Sequence, residues 1–147
     1  MIKQGEGHIV NLASIYGNYP TAGGGVYGAT KAAVIFLSES LRIESQGKIK
    51  VTIVRPTGVP ATNLGAGIIN PAAVTGLLGE NTASYMSKFE AAEAGQLPSS
   101  MTDINHIEYF SLDHESIVDQ IIYAINQPKG VAISDITVRA SGDGYVI

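Results

Sequence analysis

The sequence predicts an α/β fold in which parallel strands alternate with helices. Two short apolar runs, at residues 8–12 and 50–55, flank a long helical pattern at residues 26–45. A strand, a helix and a second strand in this order form a βαβ unit, whose strands pair in parallel through a right-handed crossover. A second helical pattern and a third apolar run, at residues 131–138, repeat the alternation. The length of 147 residues suffices for one domain and not for two.

The first strand and the helix after it have clear patterns. Residues 8–12, with the sequence HIVNL, lead from a glycine-containing turn into a polar, glycine-rich stretch. In residues 26–45, apolar side chains recur at steps of three and four and extend beyond a single stripe. They are Ala29, Ala32, Ala33, Ile35, Phe36, Leu37, Leu41 and Ile43. A helix that is apolar on two sides is expected to be buried on two sides, here by the sheet and by a partner subunit.

The second strand, residues 50–55, ends at Pro56, because proline cannot continue a hydrogen-bonded ladder. Residues 57–112 are less regular and rich in glycine, with a short helix expected at residues 84–94. A segment of this length between regular elements more often forms a lid or a binding segment than a passive connection. We therefore expect residues 57–112 to form a substrate-binding lid within a single domain that spans residues 1–147.

The second long helix is expected to begin after Asp113, whose carboxylate caps its first turn. Its buried stripe is predicted to consist of Ile117, Val118, Ile121, Ile122 and Ile125. The sequence QPKG at residues 127–130 ends this helix, and residues 131–138 are expected to form the third strand. The predicted order is therefore strand, helix, strand, lid, helix, strand.

The composition excludes several classes of protein. The formal net charge of −4 gives no electrostatic reason to expect nucleic acid or an anionic membrane as a partner. The sequence has no cysteine, so a disulfide framework and a thiolate zinc site are excluded, and its three histidines lack metal-ligand spacing. No apolar run approaches the roughly 20 residues of a membrane-spanning helix. We therefore expect a cytoplasmic protein without a metal ion.

Tyr27 and Lys31 are the first candidates for chemistry. At a spacing of four residues, both side chains lie on one face of a helix, about one turn apart. A free phenol has a pKa of about 10, and a nearby ammonium group and the positive end of a helix both favour its ionised form. The pair is thus suited to general acid–base catalysis. Alone, the spacing is weak evidence, because it occurs by chance in many helices.

Ser14 strengthens the interpretation. It follows the first predicted strand and precedes Tyr27 by thirteen residues. A hydroxyl group at the carboxyl end of a strand in an α/β sheet points toward the crevice in which such folds bind ligands. The sequence therefore predicts a polar site formed by Ser14, Tyr27 and Lys31.

Three segments carry a family resemblance. Residues 7–14 (GHIVNLAS), 27–34 (YGATKAAV) and 51–56 (VTIVRP) follow the order and spacing of the short-chain dehydrogenase/reductase family. Residues 122–128 (IYAINQP) and 136–139 (ITVR) resemble the last helix and strand of that family. The chain is most similar to the bacterial NADP-dependent branch that acts on small hydroxy acids and carbonyl compounds. The resemblance implies the C-terminal half of a Rossmann-like, doubly wound parallel sheet.

The resemblance also implies roles for individual residues. Tyr27 would be the general acid/base, and Lys31 would assist it and hydrogen-bond the nicotinamide ribose of NADP or NAD. Ser14 would hold the oxygen atom of a small alcohol or carbonyl substrate. Apart from the resemblance, the closeness of Tyr16 and Tyr19 to Ser14 leaves two interpretations open: they wall the substrate pocket, or they pack within the loop. The hydride would be exchanged with the cofactor, and the protein would supply the proton and the positioning. The implied assembly is a homo-oligomer that forms through the helix at residues 26–45.

The turn after the second strand departs from the family pattern. Residues 56–62 read PTGVPAT, in which the glycine and the threonine are each displaced by one position. The expected residues on the nicotinamide side are Pro56, Gly58 and Val59, and Thr62 is the candidate for contact with the carboxamide group.

A larger departure is the lack of a dinucleotide-binding start. Residues 23–25 are three glycines, but no strand leads directly into them, so they do not form the glycine-rich turn that binds a pyrophosphate. We expect the chain to represent the catalytic half of a longer enzyme and to be inactive alone. Two alternatives stay open: a fragment of an extended-branch sugar-nucleotide epimerase or dehydratase, and a non-catalytic assembly or binding half-domain.

Overall fold

A three-stranded parallel sheet forms the centre of the computed structural model, which describes residues 1–60 and 62–147. The order of the strands is β1-β2-β3, with β1 at His8–Leu12, β2 at Lys50–Pro56 and β3 at Asp135–Val138. Both pairings are parallel, and the register places His8 beside Lys50 and Ile53 beside Asp135. The predicted α/β fold with parallel strands is confirmed.

Five α-helices accompany the sheet within the described residues. Helix α1, Gly25–Glu44, connects β1 to β2 and completes the predicted βαβ unit. The other four lie between β2 and β3: α2 at Ala72–Thr75, α3 at Thr82–Glu93, α4 at Ser99–Thr102 and α5 at His114–Ile125. Helices α1, α3 and α5 begin within about two residues of the predicted starts. The two four-residue helices, α2 and α4, were not predicted.

Buried polar side chains attach α1 to the sheet. The amide of Asn11 on β1 donates to Ser38 Oγ at 2.8 Å, and that hydroxyl donates to the carbonyl oxygen of Val34 at 2.7 Å. Ser38 is fully buried, so this chain of bonds satisfies polar groups that water does not reach. One turn further along, Arg42 Nη2 donates to the carbonyl oxygen of Ser134 at 3.0 Å, just before β3. Helix α1 is thereby bonded to β1 at one edge of the sheet and to the residue before β3 at the other edge.

The core consists of two clusters, one against the sheet and one within residues 57–112. The first lies between β2 and α5 and contains Val54, Leu112, Ile117 and Ala140. The second contains Leu78, Tyr85 and Phe110, with Tyr145 packed against it. Residues 57–112 thus have a small core of their own, which the C-terminal residues close.

The third strand is shorter than predicted. It begins at Asp135 instead of residue 131. Val131 still belongs to the turn that ends α5, because its N–H donates to the carbonyl oxygen of Pro128 at 2.9 Å. The carbonyl oxygen of Ser134 accepts from Ile53 N at 2.9 Å, and regular pairing starts with the next residue.

The predicted buried stripe of α5 is correct only in part. Ile117 is buried, and Ile121 packs against the core, but Val118, Ile122 and Ile125 are 45–49% exposed. Residues 117, 121 and 124 form one row at steps of four and three, whereas residues 118, 122 and 125 form a second row beside it. The sheet covers the first row, and the second is uncovered in the single chain.

Helix α1 likewise buries one side against the sheet. Its exposed apolar side chains are Val26, Phe36, Leu37 and Ile43, each at least 66% exposed. The predicted second buried side of this helix is therefore open in one chain. None of the helices in residues 1–60 and 62–147 has both the length and the apolar character needed to cross a lipid bilayer.

The predicted N-cap of α5 is confirmed and can be tested quantitatively. Asp113 Oδ1 accepts from Ser116 N at 2.7 Å. We predict that Asp113→Ala lowers the free energy of unfolding by about 1 kcal/mol, because an N–H group at the helix start loses its acceptor. The control is Asp119→Ala on the exposed side of the same helix. Urea denaturation of both variants at neutral pH gives the comparison, and equal losses would contradict the capping role.

The His8 ring is fixed by the strand next to it. The Thr52 hydroxyl donates its hydrogen to the carbonyl oxygen of Ile133 at 2.6 Å, so the ring donates from Nε2 to Thr52 Oγ1 at 2.7 Å. Burial, and to a smaller extent the charge of Lys50, lower the pKa of His8 from its ordinary value of 6.5. Below pH 6.5 the unfolded chain therefore takes up this proton more readily than the folded chain does.

We predict that the free energy of unfolding decreases as the pH falls from 6.5 through the lowered pKa of His8. In His8→Gln, which keeps an amide donor for Thr52, the decrease is smaller because no imidazole is left to protonate. Urea denaturation of both proteins at about pH 7.5 and about pH 5.5 measures the difference. If both proteins lose the same free energy over this interval, His8 does not carry the pH dependence.

Candidate active site

The carboxyl end of β1 positions Ser14. The ladder extends one residue past the strand, where Ala13 N donates to the carbonyl oxygen of Val54 at 2.8 Å. Ser14 then adopts an extended conformation and is 7% exposed. Its Oγ accepts from Tyr16 N at 3.3 Å and caps a 3-10 turn at Ile15–Gly17. Because the hydroxyl oxygen is used as an acceptor, its hydrogen is still available to donate to another group.

Lys31 connects the first turns of α1 to the same strand end. Its Nζ donates to the carbonyl oxygen of Leu12 at 3.2 Å, the last residue of β1. The same nitrogen lies 5.7 Å from the centroid of the Tyr27 ring, which is partly exposed. The structure thus brings Ser14, Tyr27 and Lys31 together around the carboxyl end of one strand. This is the edge at which α/β sheets bind ligands.

Gly17 allows the turn after Ser14 to press against α1. A Cβ atom at this position would lie 2.7 Å from Ile35 Cδ1 and 2.9 Å from the backbone carbonyl carbon of Lys31. Any larger residue would therefore displace the turn from the helix. The glycine keeps the Ser14 turn at a fixed distance from the helix that carries Tyr27.

Tyr16 lies between the turn and a more distant part of the chain. Its ring contacts the Tyr27 ring edge to face, with centroids 5.5 Å apart and planes at 75°. Its hydroxyl donates to the carbonyl oxygen of Ala73 on α2 at 2.5 Å. Burial, with smaller effects from Tyr27 and Tyr85, raises the pKa of Tyr16 to about 12. The hydroxyl of Tyr16 therefore remains protonated and stays bound to the protein.

The turn after β2 lies beside the Ser14 turn, because Leu12 and Val54 are paired in the sheet. Pro56, Gly58 and Val59 occur here and are partly exposed. The candidate Thr62 is exposed, and its hydroxyl donates to the carbonyl oxygen of Val59 at 2.9 Å.

The neighbouring Thr57 was missed by the sequence interpretation. Its Oγ1 is buried and has no hydrogen-bond partner among the described residues. Its backbone N–H donates to the carbonyl oxygen of Val138 at 3.1 Å, which fixes the turn against β3. Its place directly after the strand's last residue, Pro56, does not by itself distinguish it from other threonines that follow strands.

Tyr19 lies apart from the other tyrosines of the site. It is 46% exposed and lines a cavity of about 280 Å³ together with Asn18, Arg55 and Arg139. Arg55 Nη1 donates to Asn18 Oδ1 at 3.1 Å and forms an ion pair with Asp135 at 2.7 Å. The loop after Ser14 is thus tied to β2 by a hydrogen bond, and β2 is tied to β3 by a salt bridge. The sequence pattern indicated neither contact.

A larger cavity of about 450 Å³ lies among residues 60–113. It is lined by Pro60, Leu97, Met101 and Tyr109, among others, and by none of the three polar residues gathered at β1. Its position beyond the turn after β2 makes it a neighbour of the site and not its centre. Ala61, which adjoins it in sequence and belongs to the predicted lid, lies outside the described residues.

The glycines before α1 do not form a phosphate-binding turn. The helix begins at Gly25 with Gly24 as its N-cap, and a 3-10 turn and a loop precede it instead of a strand. A Cβ atom on Gly23 would lie 2.9 Å from Ala73 N, so α2 packs closely against this glycine. The interpretation that these glycines are not a dinucleotide fingerprint agrees with this packing.

Comparisons with known proteins show a similarity to one family. The family model described as short chain dehydrogenase matches residues 1–72. Uncharacterized oxidoreductases of Staphylococcus epidermidis and Staphylococcus aureus are each 30% identical to the chain over 139 residues. These matches cover 95% of this chain and 45% of either relative. The chain therefore spans less than half the length of the relatives that it matches.

Solved structures show the same relationship. The closed form of serine dehydrogenase complexed with NADP+ is 26% identical, with a TM-score of 0.64, over 94% of this chain and 46% of that one. A short-chain dehydrogenase from Streptomyces avermitilis is 25% identical, with a TM-score of 0.56, over 94% of this chain and 44% of that one. Together with the parallel sheet and the site at its carboxyl edge, these matches show that the chain is similar to the short-chain dehydrogenases and has their Rossmann-like α/β fold.

Proposed function

We propose that the chain is the catalytic half of an NAD(P)-dependent oxidoreductase that acts on a small alcohol or carbonyl compound. The observation that carries this proposal is the position of Lys31, which reaches from the Tyr27 ring to the end of β1, next to Ser14. A phenol, an ammonium group and a serine hydroxyl at one strand end are the groups needed to transfer a proton to or from a substrate oxygen. The NADP+ named in the serine dehydrogenase structure supports the choice of cofactor.

The residues divide the proton-transfer work between them. In the reduction of a carbonyl group, Tyr27 donates its phenolic proton to the substrate oxygen, and in the oxidation of an alcohol it accepts that proton. Lys31 stabilises the phenolate that forms, because its charge lies near the ring. Ser14 donates its free hydroxyl hydrogen to the same substrate oxygen and fixes its position. A nicotinamide cofactor, when bound, supplies or accepts the hydride.

The residues present fit the nicotinamide end of such a cofactor. Lys31 offers an ammonium donor to ribose hydroxyl groups, and the buried Thr57 hydroxyl lacks a partner among the described residues. Thr57 or Thr62 would then meet the carboxamide group, with Pro56, Gly58 and Val59 as the surrounding turn. NAD and NADP share this half of the molecule, so these residues suit either.

The pyrophosphate end has no matching site in the described residues. No strand leads into the three glycines at residues 23–25, and the first of them, Gly23, packs closely against the backbone of Ala73. We infer that a further half of the protein, of the kind that lengthens the relatives, supplies this contact. The chain alone should then bind NAD(P) weakly and show no turnover.

The segment at residues 57–112 serves in this proposal as the substrate-binding lid. Support comes from its separate core around Tyr85 and Phe110 and from the cavity that opens next to Pro60. Its attachment to the Ser14 turn through Tyr16 and Ala73 brings it against the site. Tyr19, on the same loop as Ser14, lines the separate cavity beside Arg55 and Arg139 and is proposed as a substrate contact from that side.

The uncovered side of α1 supports association with a second subunit. Phe36, Leu37 and Ile43 are each at least 66% exposed and lie on the same helix as Tyr27. Apolar side chains grouped on one face of a soluble protein mark a contact surface. We propose that this surface of α1 packs against a partner subunit in the complete protein.

The proposal predicts that Tyr27→Phe abolishes carbonyl reduction in a polypeptide extended upstream to the length of the relatives. The loss should be at least about 100-fold in kcat, because the general acid is removed, while NADPH binding measured by calorimetry is retained. Ser14→Ala should reduce kcat in the same assay, because the substrate oxygen loses a donor. Tyr123→Phe, on the exposed side of α5, removes a tyrosine hydroxyl far from the site and serves as the control.

Two results would contradict different parts of the proposal. Undiminished reduction by Tyr27→Phe would remove this residue from the chemistry. Micromolar binding of NADPH or NADH by the 147-residue chain alone would show that the cofactor site is complete without an upstream half. An extended polypeptide that binds no nicotinamide cofactor at all would favour the non-catalytic assembly protein.

A further inference from the structure

Tyr16 makes two contacts that join distant parts of the site. Its ring packs edge to face on Tyr27, with 5.5 Å between centroids, and its hydroxyl donates to the carbonyl oxygen of Ala73 on α2 at 2.5 Å. We propose that Tyr16 is a positioning residue that holds the Tyr27 ring in place only while α2 is seated on the loop before α1. The inference rests on the proposed function, because it assumes that Tyr27 performs the proton transfer.

Small residues allow α2 to pack closely against the loop before α1. We call this contact, between residues 22–23 and 70–76, the seat of α2. Gly23 has a φ of 76° and no side chain, and a Cβ atom on it would lie 2.8 Å from Asn70 Nδ2 and 2.9 Å from Ala73 N. On the α2 side of this contact, a Cβ atom on Gly76 would lie 3.1 Å from the carbonyl oxygen of Ala22. The two backbones are therefore in direct contact over residues 22–23 and 70–76. The same loop continues into α1 and reaches Tyr27 within its first turn.

Tyr16 is the side chain that bridges this contact. Its own carbonyl oxygen faces α1, where a Cβ atom on Gly28 would approach it to 3.0 Å. The backbone of Tyr16 is thus held by the catalytic helix, while its hydroxyl is held by the lid segment. When α2 leaves its seat, the hydroxyl loses its acceptor, and the ring that supports Tyr27 is no longer fixed.

The chemistry of the hydroxyl suits a permanent donor. Burial raises the pKa of Tyr16 to about 12, so the group keeps its proton throughout the neutral range and continues to donate to Ala73. The sequence had suggested Tyr16 as a substrate contact. With its hydroxyl already bound to the backbone, Tyr16 instead acts on the substrate through Tyr27 and through the lid.

The lid segment also carries exposed apolar side chains next to the seat. Ile69 is 99% exposed and directly precedes Asn70, and Leu64 is 60% exposed. These side chains are not covered by the described part of the chain, although the backbone that follows them is packed. The seat therefore fixes the chain at residues 70–76. The exposed apolar side chains of Leu64 and Ile69, which precede it, remain free to contact a bound molecule.

The first experiment measures amide hydrogen exchange in the 147-residue chain. Tyr16→Phe removes only the hydroxyl, and we expect the amides of Val74 and Gly76, which are bonded within α2, to exchange about five-fold faster. Amides in the second half of α1 should exchange at the rate of the unaltered protein. The matched control is Tyr123→Phe, which removes an exposed hydroxyl. Unchanged exchange in α2, or an equal increase throughout the chain, would overturn the proposal.

The second experiment measures turnover in the extended polypeptide. Tyr16→Leu, which removes both contacts, should lower kcat about ten-fold or more, because Tyr27 is no longer held in one orientation. Tyr16→Phe keeps the ring and should lower kcat less while raising KM, because the lid is seated less firmly. Equal kcat and KM for both variants and the unaltered enzyme would overturn the proposal. Should Tyr27→Phe remain active, the proposed function fails, whereas the exchange result still decides whether Tyr16 seats α2.

Discussion

The parallel pairing of β1 with β2 determines where the polar site lies. Because parallel neighbours require a crossover, α1 must begin near the carboxyl end of β1 and return to the amino end of β2. Its first two turns therefore lie at the strand end, and Lys31 can bond the carbonyl oxygen of Leu12 from there. No long-range contact is needed to bring Tyr27 near Ser14, since one strand, one turn and the start of one helix contain all three residues. The salt bridge of Arg55 and the seat of α2 then stabilise an arrangement that the topology has already set.

Much of this topology could be predicted because the first half of the chain has strong local patterns. The apolar run at residues 8–12 and the periodic residues of α1 each specify one element, and a βαβ unit allows few arrangements. The start of β3 was wrong because Val131 is apolar and β-branched, yet its N–H belongs to the turn that ends α5. Helices α2 and α4 were missed because four residues are too few to show a helical period. Their position depends on tertiary contacts such as the one between Ala73 and Tyr16.

The candidate site likewise contains residues that could be predicted from the sequence and residues that could not. Tyr27, Lys31 and Ser14 follow from residue type and spacing, because their chemistry requires particular groups at a strand end. Thr57 could not be recognised in this way, since a threonine after a strand is common and only its buried, unpartnered hydroxyl distinguishes it. In α5, the sequence pattern correctly indicated apolar rows but not how many of them one chain would cover. A periodic pattern shows that one surface of a helix is apolar. It does not show whether the same chain or another molecule covers that surface.

The uncovered rows and the incomplete cofactor surface have a common interpretation under the proposed function. Proton transfer depends on groups within residues 12–31, which one βα unit holds in place by its own contacts. Hydride transfer depends in addition on a pyrophosphate contact and on a closed lid, and both come from other segments. In the single chain, apolar faces of α1 and α5 are exposed, and the lid meets the site chiefly through α2. In the proposed function, the acid–base part of the reaction is thus prepared locally, whereas cofactor binding requires further protein surface. The proposed function assigns that surface to a further segment of the kind that lengthens the relatives, of which this chain covers 45%.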